Sequence, residues 1–264
     1  MTIMNAKEVT INTQLLKVLV VGDYGTGKSV FASTFPTPGF IFDFDKGILT
    51  YRGKDWDYTQ YDTNAIGWTA FDKEFKEIEK LVKEGKYKTV VIDSTSLMSA
   101  LAMEKALQLD PKRSPTGGPL WNVHYGMVRH LVEGKLRQFM QWPCNLVVLS
   151  HLQVVRDEET GAIIKIQPLL PGALSDTVPG YFDEVYISTS NLKGGVPVFE
   201  LQTLPRGLYK ARSRMSGQEQ RLPMYVPNTY SALMKAIEDG SKPKVAGVVL
   251  SAKPAVPATP VSPR

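Results

Sequence analysis

Apolar residues gather in short blocks at 17–21, 40–44, 89–92 and 145–150, and between the blocks they recur every three or four positions. The blocks read as buried strands and the spacers as helices. Trp68, Phe71, Phe75, Ile78 and Val82 trace one amphipathic stripe, closed by Gly85 as a helix stop. A second helix is expected from about Ser96 to Leu109, and a third from about Trp121 to Gln141, ended by Pro143. Buried strands joined by crossovers this long must run parallel, so the pattern predicts an α/β chain with a mainly parallel sheet flanked by helices on both faces. After Ser150 the pattern shortens. VVRDEETGAIIKIQ, YFDEVYIST, VPVFELQT and LYKAR read as antiparallel strands added toward the C-terminal part, and Asn228 as the cap of a last helix ending at Gly240. No internal repeat is visible.

Composition narrows the picture. At 264 residues and 43% hydrophobic content the chain supports one principal domain, placed at 15–240, after an N-terminal segment 1–14. No window of 18 consecutive apolar residues occurs and the N-terminus has no signal-peptide pattern, so the expectation is a soluble cytoplasmic protein with no membrane contact. One cysteine, Cys144, excludes an intramolecular disulfide, and three scattered histidines give no metal-ligand spacing. The net charge of +5 is a property of the tail more than of the body. Residues 241–264 hold Lys242, Lys244, Lys253 and Arg264 with no acid, leaving 27 of the 31 basic groups against 26 acidic ones elsewhere. The tail also carries five of the 18 prolines and reads as a disordered basic appendage, either a solubilising end or a tether.

The strand at Lys17–Val21 runs into Gly22-Asp23-Tyr24-Gly25-Thr26-Gly27-Lys28-Ser29, and a helix is expected to follow from Ser29 to Phe35. Every required position of G-x-x-x-x-G-K-[ST] is met, between a strand and a helix. Glycines let the loop fold back so that its amides, up to Val30, converge on phosphate oxygens, with the positive end of the helix behind them. Lys28 would reach the β- and γ-phosphates of ATP, and the Ser29 hydroxyl would ligate Mg²⁺. The run Thr89 to Asp93 supplies the second metal anchor, since Asp93 ends a buried strand at the carboxyl edge of the sheet. On the strand ending FDFDKG, period-2 alternation puts Asp43 and Asp45 on one face, where a carboxylate can orient the attacking water; a plain turn-closing role is the alternative. His151, after Leu146–Ser150, stands where a polar tip can touch the γ-phosphate, or where a strand-end histidine is simply satisfied.

With the glycine loop, the D-x-D-x-G strand end, VVIDS and VVLSH in this order, the chain resembles the RecA-like P-loop NTPases. More narrowly, it is similar to the phage ATPases of that group that act in single-strand annealing or recombination; PLLPGALSDTVPGYFDEVYIS and LPRGLYKARSR carry the likeness to about residue 215. The resemblance implies a sheet in which LVVLS lies between the glycine-loop strand and VVIDS, placing His151 at the γ-phosphate. It sets Asp45 where the family usually has a water-activating glutamate, one methylene longer. It gives Lys210 and Arg212, in KARSR, the task of entering a neighbouring subunit's nucleotide site, which requires head-to-tail assembly into a ring or filament. It implies single-stranded DNA as the partner, on parts of 110–120 and 152–180, annealing or strand exchange as the task, the cytoplasm of a bacterial host as the place, and a single-strand DNA-binding protein as a candidate companion. Trp121 and Tyr125 could serve as aromatic stacking platforms for bases, but their spacing on an expected helix favours core packing. Two competing readings stay open: a phosphotransferase acting on a small molecule, and a nucleotide-gated DNA-binding module that does not hydrolyse.

Overall fold

A computed structural model describes residues 15–215 and 222–241. The expected N-terminal segment 1–14 and, except for Ser241, the tail 241–264 lie outside those residues. Among the described residues ten strands form one sheet: β1 (Lys17–Gly22), β2 (Gly39–Asp43), β3 (Trp56–Gln60), β4 (Thr89–Asp93), β5 (Asn145–Arg156), β6 (Ile163–Pro168), β7 (Glu184–Lys193), β8 (Val196–Gln202), β9 (Arg212–Ser213) and β10 (Tyr225–Pro227). Their order is β10-β8-β7-β1-β5-β4-β2-β3, with β6 paired to β5 and β9 to β7. From β7 to β3 every pairing is parallel, whereas β6, β8, β9 and β10 join antiparallel. β5 lies between β1 and β4, where the resemblance of the motifs implies it.

Alternation along the buried strands divides the core in two. Leu19, Val21, Phe42, Ile92 and Val148 face the helices α2 (Ala65–Lys83), α3 (Thr95–Leu109) and α4 (Trp121–Phe139). Val18, Val20, Ile41, Val91 and Leu149 face the other layer, which contains α1 (Lys28–Ala32) and α6 (Tyr230–Ser241). The stripe read from the sequence is the packed one: Phe71 is fully buried against Phe42, Phe44 and Tyr61, and Asn64 caps α2 by accepting from the Gly67 amide at 2.8 Å. A short helix α5 (Leu174–Thr177) follows β6. No helix among the described residues is long and apolar enough to cross a membrane.

Several expected boundaries move. α1 spans five residues and stops at Ala32 rather than Phe35, because Ser33 and Thr34 turn their hydroxyls back onto the carbonyls of Val30 and Phe31. α4 ends at Phe139, before Gln141. Asn228 does not cap α6; Thr229 does, its hydroxyl accepting from the Ala232 amide at 3.2 Å. Trp121 is not in the core but 69% exposed on the first turn of α4.

Candidate nucleotide site

At the carboxyl ends of β1, β2, β4 and β5 the sheet opens into a cleft of about 780 Å³, lined by the glycine loop on one side and by Asp45, Asp93 and His151 on the other. The loop is held from within and from behind. Thr26 Oγ1 donates to the Asp23 carbonyl at 2.8 Å, and the buried Lys28 Nζ donates to the carbonyls of Gly22 (2.9 Å) and Asp23 (2.8 Å). Behind it, Ser188 Oγ of β7 donates to the Thr26 carbonyl at 2.7 Å, and Asn228 Nδ2 to the Gly27 carbonyl at 2.8 Å. Gly27 has φ of +88°, and a Cβ there would sit 2.8 Å from the Phe199 ring and 2.9 Å from the Asn228 amide. Only glycine fits both the backbone and the space. The exposed Tyr24 and Val30 edge the same cleft, with Gly25 at the turn of the loop.

Ser29 Oγ donates to Asp93 Oδ2 at 2.7 Å, so the two expected metal anchors meet. Burial pushes the Asp93 carboxyl up to about 6, helped by the nearby charges of Asp45 and Asp43 and opposed by Ser29 and Lys28. Burial likewise lowers the Lys28 ammonium, against the pull of Asp93, Asp45 and Asp23. A buried carboxylate short of positive charge beside a hydroxyl, with a lysine short of negative charge nearby, fits a magnesium–triphosphate pair: Ser29 and Asp93 would hold the metal and Lys28 the phosphates.

Asp45 and His151, chosen on separate grounds in the sequence, form one unit. Asp45 Oδ2 lies 2.8 Å from His151 Nε2, while its Oδ1 accepts from the Ser94 amide (2.9 Å) and hydroxyl (2.7 Å), just past the cis Asp93–Ser94 peptide. Burial acts to raise its pKa, but the hydrogen bonds of His151 and Ser94 outweigh burial and hold Asp45 below the ordinary carboxylate value. The Asp45 carboxylate therefore stays ionised at neutral pH. The His151 ring packs at a tilt of 33° against Tyr24 with ring centroids 4.7 Å apart, its amide donates to Ser96 Oγ at 3.0 Å, and its Nδ1 is buried without a partner among the described residues.

Other expected residues lie elsewhere. Asp43 is fully buried, accepting from the Gly47 amide and the Gln60 side chain, so it closes a turn and does not line the cleft. The expected shared face fails because β2 ends at Asp43 and the chain turns before Asp45. Neither Lys210 nor Arg212 reaches the cleft of its own chain. The Arg212 guanidinium donates to the carbonyls of Pro179, Gly180 and Phe182, and Arg214 pairs with Asp183. Lys210 is exposed at the rim of a separate cavity, near the Lys165–Asp176 ion pair. The residues that sequence reasoning missed are Ser188, Phe199 and Asn228, which brace the glycine loop across most of the chain; no local pattern marks them.

No curated protein matches this chain at a significant level. Among solved structures, a KaiC-like protein from the hyperthermophilic archaeon Pyrococcus horikoshii aligns with a TM-score of 0.44 and 15% identity, covering 80% of this chain and 84% of that one. A family model described as an AAA domain matches residues 14–215, from just before β1 to just past β9, and so takes in the loop, both metal anchors and the Asp45–His151 pair. The chain belongs to this AAA domain family of P-loop nucleotide-binding proteins.

Proposed function

We propose that this protein is an Mg²⁺-dependent ATPase acting on single-stranded DNA as a head-to-tail oligomer, in annealing or strand exchange during phage recombination. The observation that carries the catalytic part is the Asp45–His151 pair facing Lys28, Ser29 and Asp93 across one cleft. Lys28 turns its ammonium from the Gly22 and Asp23 carbonyls to phosphate oxygens. Ser29 and Asp93 would hold the metal, which when bound would neutralise charge on the phosphates. Asp45, kept ionised by Ser94 and His151, orients the attacking water, and His151 touches the terminal phosphate from the tip of the core part of β5. Single-stranded DNA and the phage setting rest on the resemblance of the motifs. Lys112 and Arg113, exposed on the loop before α4, add local support. Of the two trans-acting residues, Lys210 is the better placed, because Arg212 is committed to carbonyls of its own chain.

A second reading has its own observation. Both Asp45 oxygens are already engaged, and the side chain is one methylene shorter than glutamate, which suits a nucleotide-gated module that turns over rarely or not at all. Phosphate release with and without single-stranded DNA, at two salt concentrations, separates the two. Stimulation that weakens as salt rises supports the ATPase; nucleotide binding with no phosphate release supports the gated module. Lys28→Ala should lose nucleotide binding while keeping its fold. Normal hydrolysis by that variant would remove the site assignment.

A further inference from the structure

Of the four tryptophans, Trp56, Trp68 and Trp142 are buried, and Trp121 stands in solvent. It is not isolated. Its ring centroid lies 4.5 Å from that of Tyr125, one helical turn on, so the two present neighbouring aromatic faces. Tyr125 leads into a groove of about 990 Å³ between α3, α4, β5 and the segment after β6. The groove wall holds Ser96, Ser99, Gln153 and Gln167 beside apolar Met103 and Leu170, and no charged side chain lines it. Gln167 Nε2 donates to Gln153 Oε1 at 3.2 Å, while Gln167 Oε1 has no hydrogen-bond partner among the described residues.

Flat π faces beside neutral donors and acceptors match one chemistry well, that of a nucleobase with its stacking surface and polar edges. Charge points the same way. The loop entering α4 exposes Lys112 and Arg113; its one acid, Asp110, is occupied on the Lys112 amide, and Arg113 bonds only to carbonyls, of Leu107, Asp110 and Lys112. Neither cation has an acidic partner among the described residues, which leaves positive charge for a phosphate backbone on the loop that leads into the helix of the aromatic pair. A duplex keeps its base faces stacked inside, so the fitting ligand is single-stranded.

We infer that Trp121 and Tyr125, with the groove beside them, form a nucleobase-stacking site for single-stranded nucleic acid. The inference rests on the single-stranded DNA reading above and adds the residues that make contact.

The test uses the full chain with ATP and Mg²⁺ and a fluorescein-labelled oligo(dT) of about 20 nucleotides, read by anisotropy at low salt. Stacking energies predict that Trp121→Ala weakens binding about 5- to 150-fold, whereas Trp121→Phe, which keeps a ring, stays within a few-fold. Thermal melting checks that both variants fold. Acrylamide quenching of the intrinsic fluorescence supplies a second readout in the unaltered protein, because Trp121 is the exposed tryptophan. Saturating unlabelled oligo(dT) should shield it. If the protein binds oligo(dT) but Trp121→Ala binds equally well and Trp121 remains quenchable, the stacking site is wrong and the DNA reading survives. If the unaltered protein binds no oligonucleotide, both fall, and the exposed pair belongs to a protein interface.

Discussion

Replacing Asp93 by Asn isolates the electrostatic cost built into the cleft. Asp93 is 3% exposed and its carboxyl is pushed up from 3.8 to about 6, chiefly by burial. At about 1.4 kcal/mol per tenfold change, holding it ionised at pH 8 costs the metal-free fold about 3 kcal/mol. The sign follows from linkage. Below 3.8 the group is neutral folded and unfolded, and it contributes nothing. As pH rises from there to about 6 the unfolded chain ionises first and the fold loses stability, after which the penalty is constant. Asn keeps an oxygen to accept the Ser29 hydroxyl and carries no charge. In EDTA at pH 8, Asp93→Asn should therefore melt about 6–12 °C above the unaltered protein, taking about 2–4 °C per kcal/mol for a chain of this size. The gap should shrink to under about 1 kcal/mol near pH 4. Mg²⁺ and ATP at about 1,000 times their Kd should reverse the order, since they add about 4.1 kcal/mol to the protein that binds them, more than the penalty of about 3 kcal/mol. Thermal melts across pH 4–8, with and without Mg²⁺ and ATP, measure all three. A variant that melts lower in EDTA at pH 8, or a gap unchanged between pH 4 and pH 8, would refute the argument.

Three further outcomes follow from packing. Gly27→Ala meets the Phe199 ring, the Asn228 amide and a left-handed backbone together, and should cost about 2–4 kcal/mol in urea unfolding; adding Phe199→Ala should recover only part, because the backbone strain remains. Phe71→Ala, at the centre of the α2–α4 layer, should cost about 3–5 kcal/mol with nucleotide binding retained once folded. Arg212→Lys gives up a planar fork that serves three carbonyls, and should lower stability by about 1–3 kcal/mol; a loss of turnover with unchanged stability would instead return Arg212 to the neighbour's active site.

What the chain's pattern reveals depends on how local each determinant is. The runs at β1, β2, β4 and β5 are legible because strands covered on both faces must be apolar throughout. β3 was not, because it is an edge strand whose exposed residues Asp57 and Gln60 interrupt the run. The glycine loop announces itself through fixed spacing, and Asp93 through its place at a strand end. Asp43 misled, since period-2 reasoning holds only while the chain stays in the strand. Trp121 misled for a related reason: it continues the stripe of Tyr125, Val128 and Val132, and the stripe alone does not say that its first turn lies uncovered. Asn228 looked like an ordinary helix cap, and only the fold reveals that its amide is spent on the loop.

The braces on the glycine loop have a consequence for how the molecule comes into being. Ser188 and Asn228 join their loop carbonyls across 162 and 201 positions of sequence. During synthesis the loop leaves the ribosome long before its supports do. A nascent or truncated chain ending before β7 carries the full phosphate-binding signature and the loop's internal hydrogen bonds but neither rear brace, so competence for ATP should arrive late, when β7 and the segment of Asn228 dock.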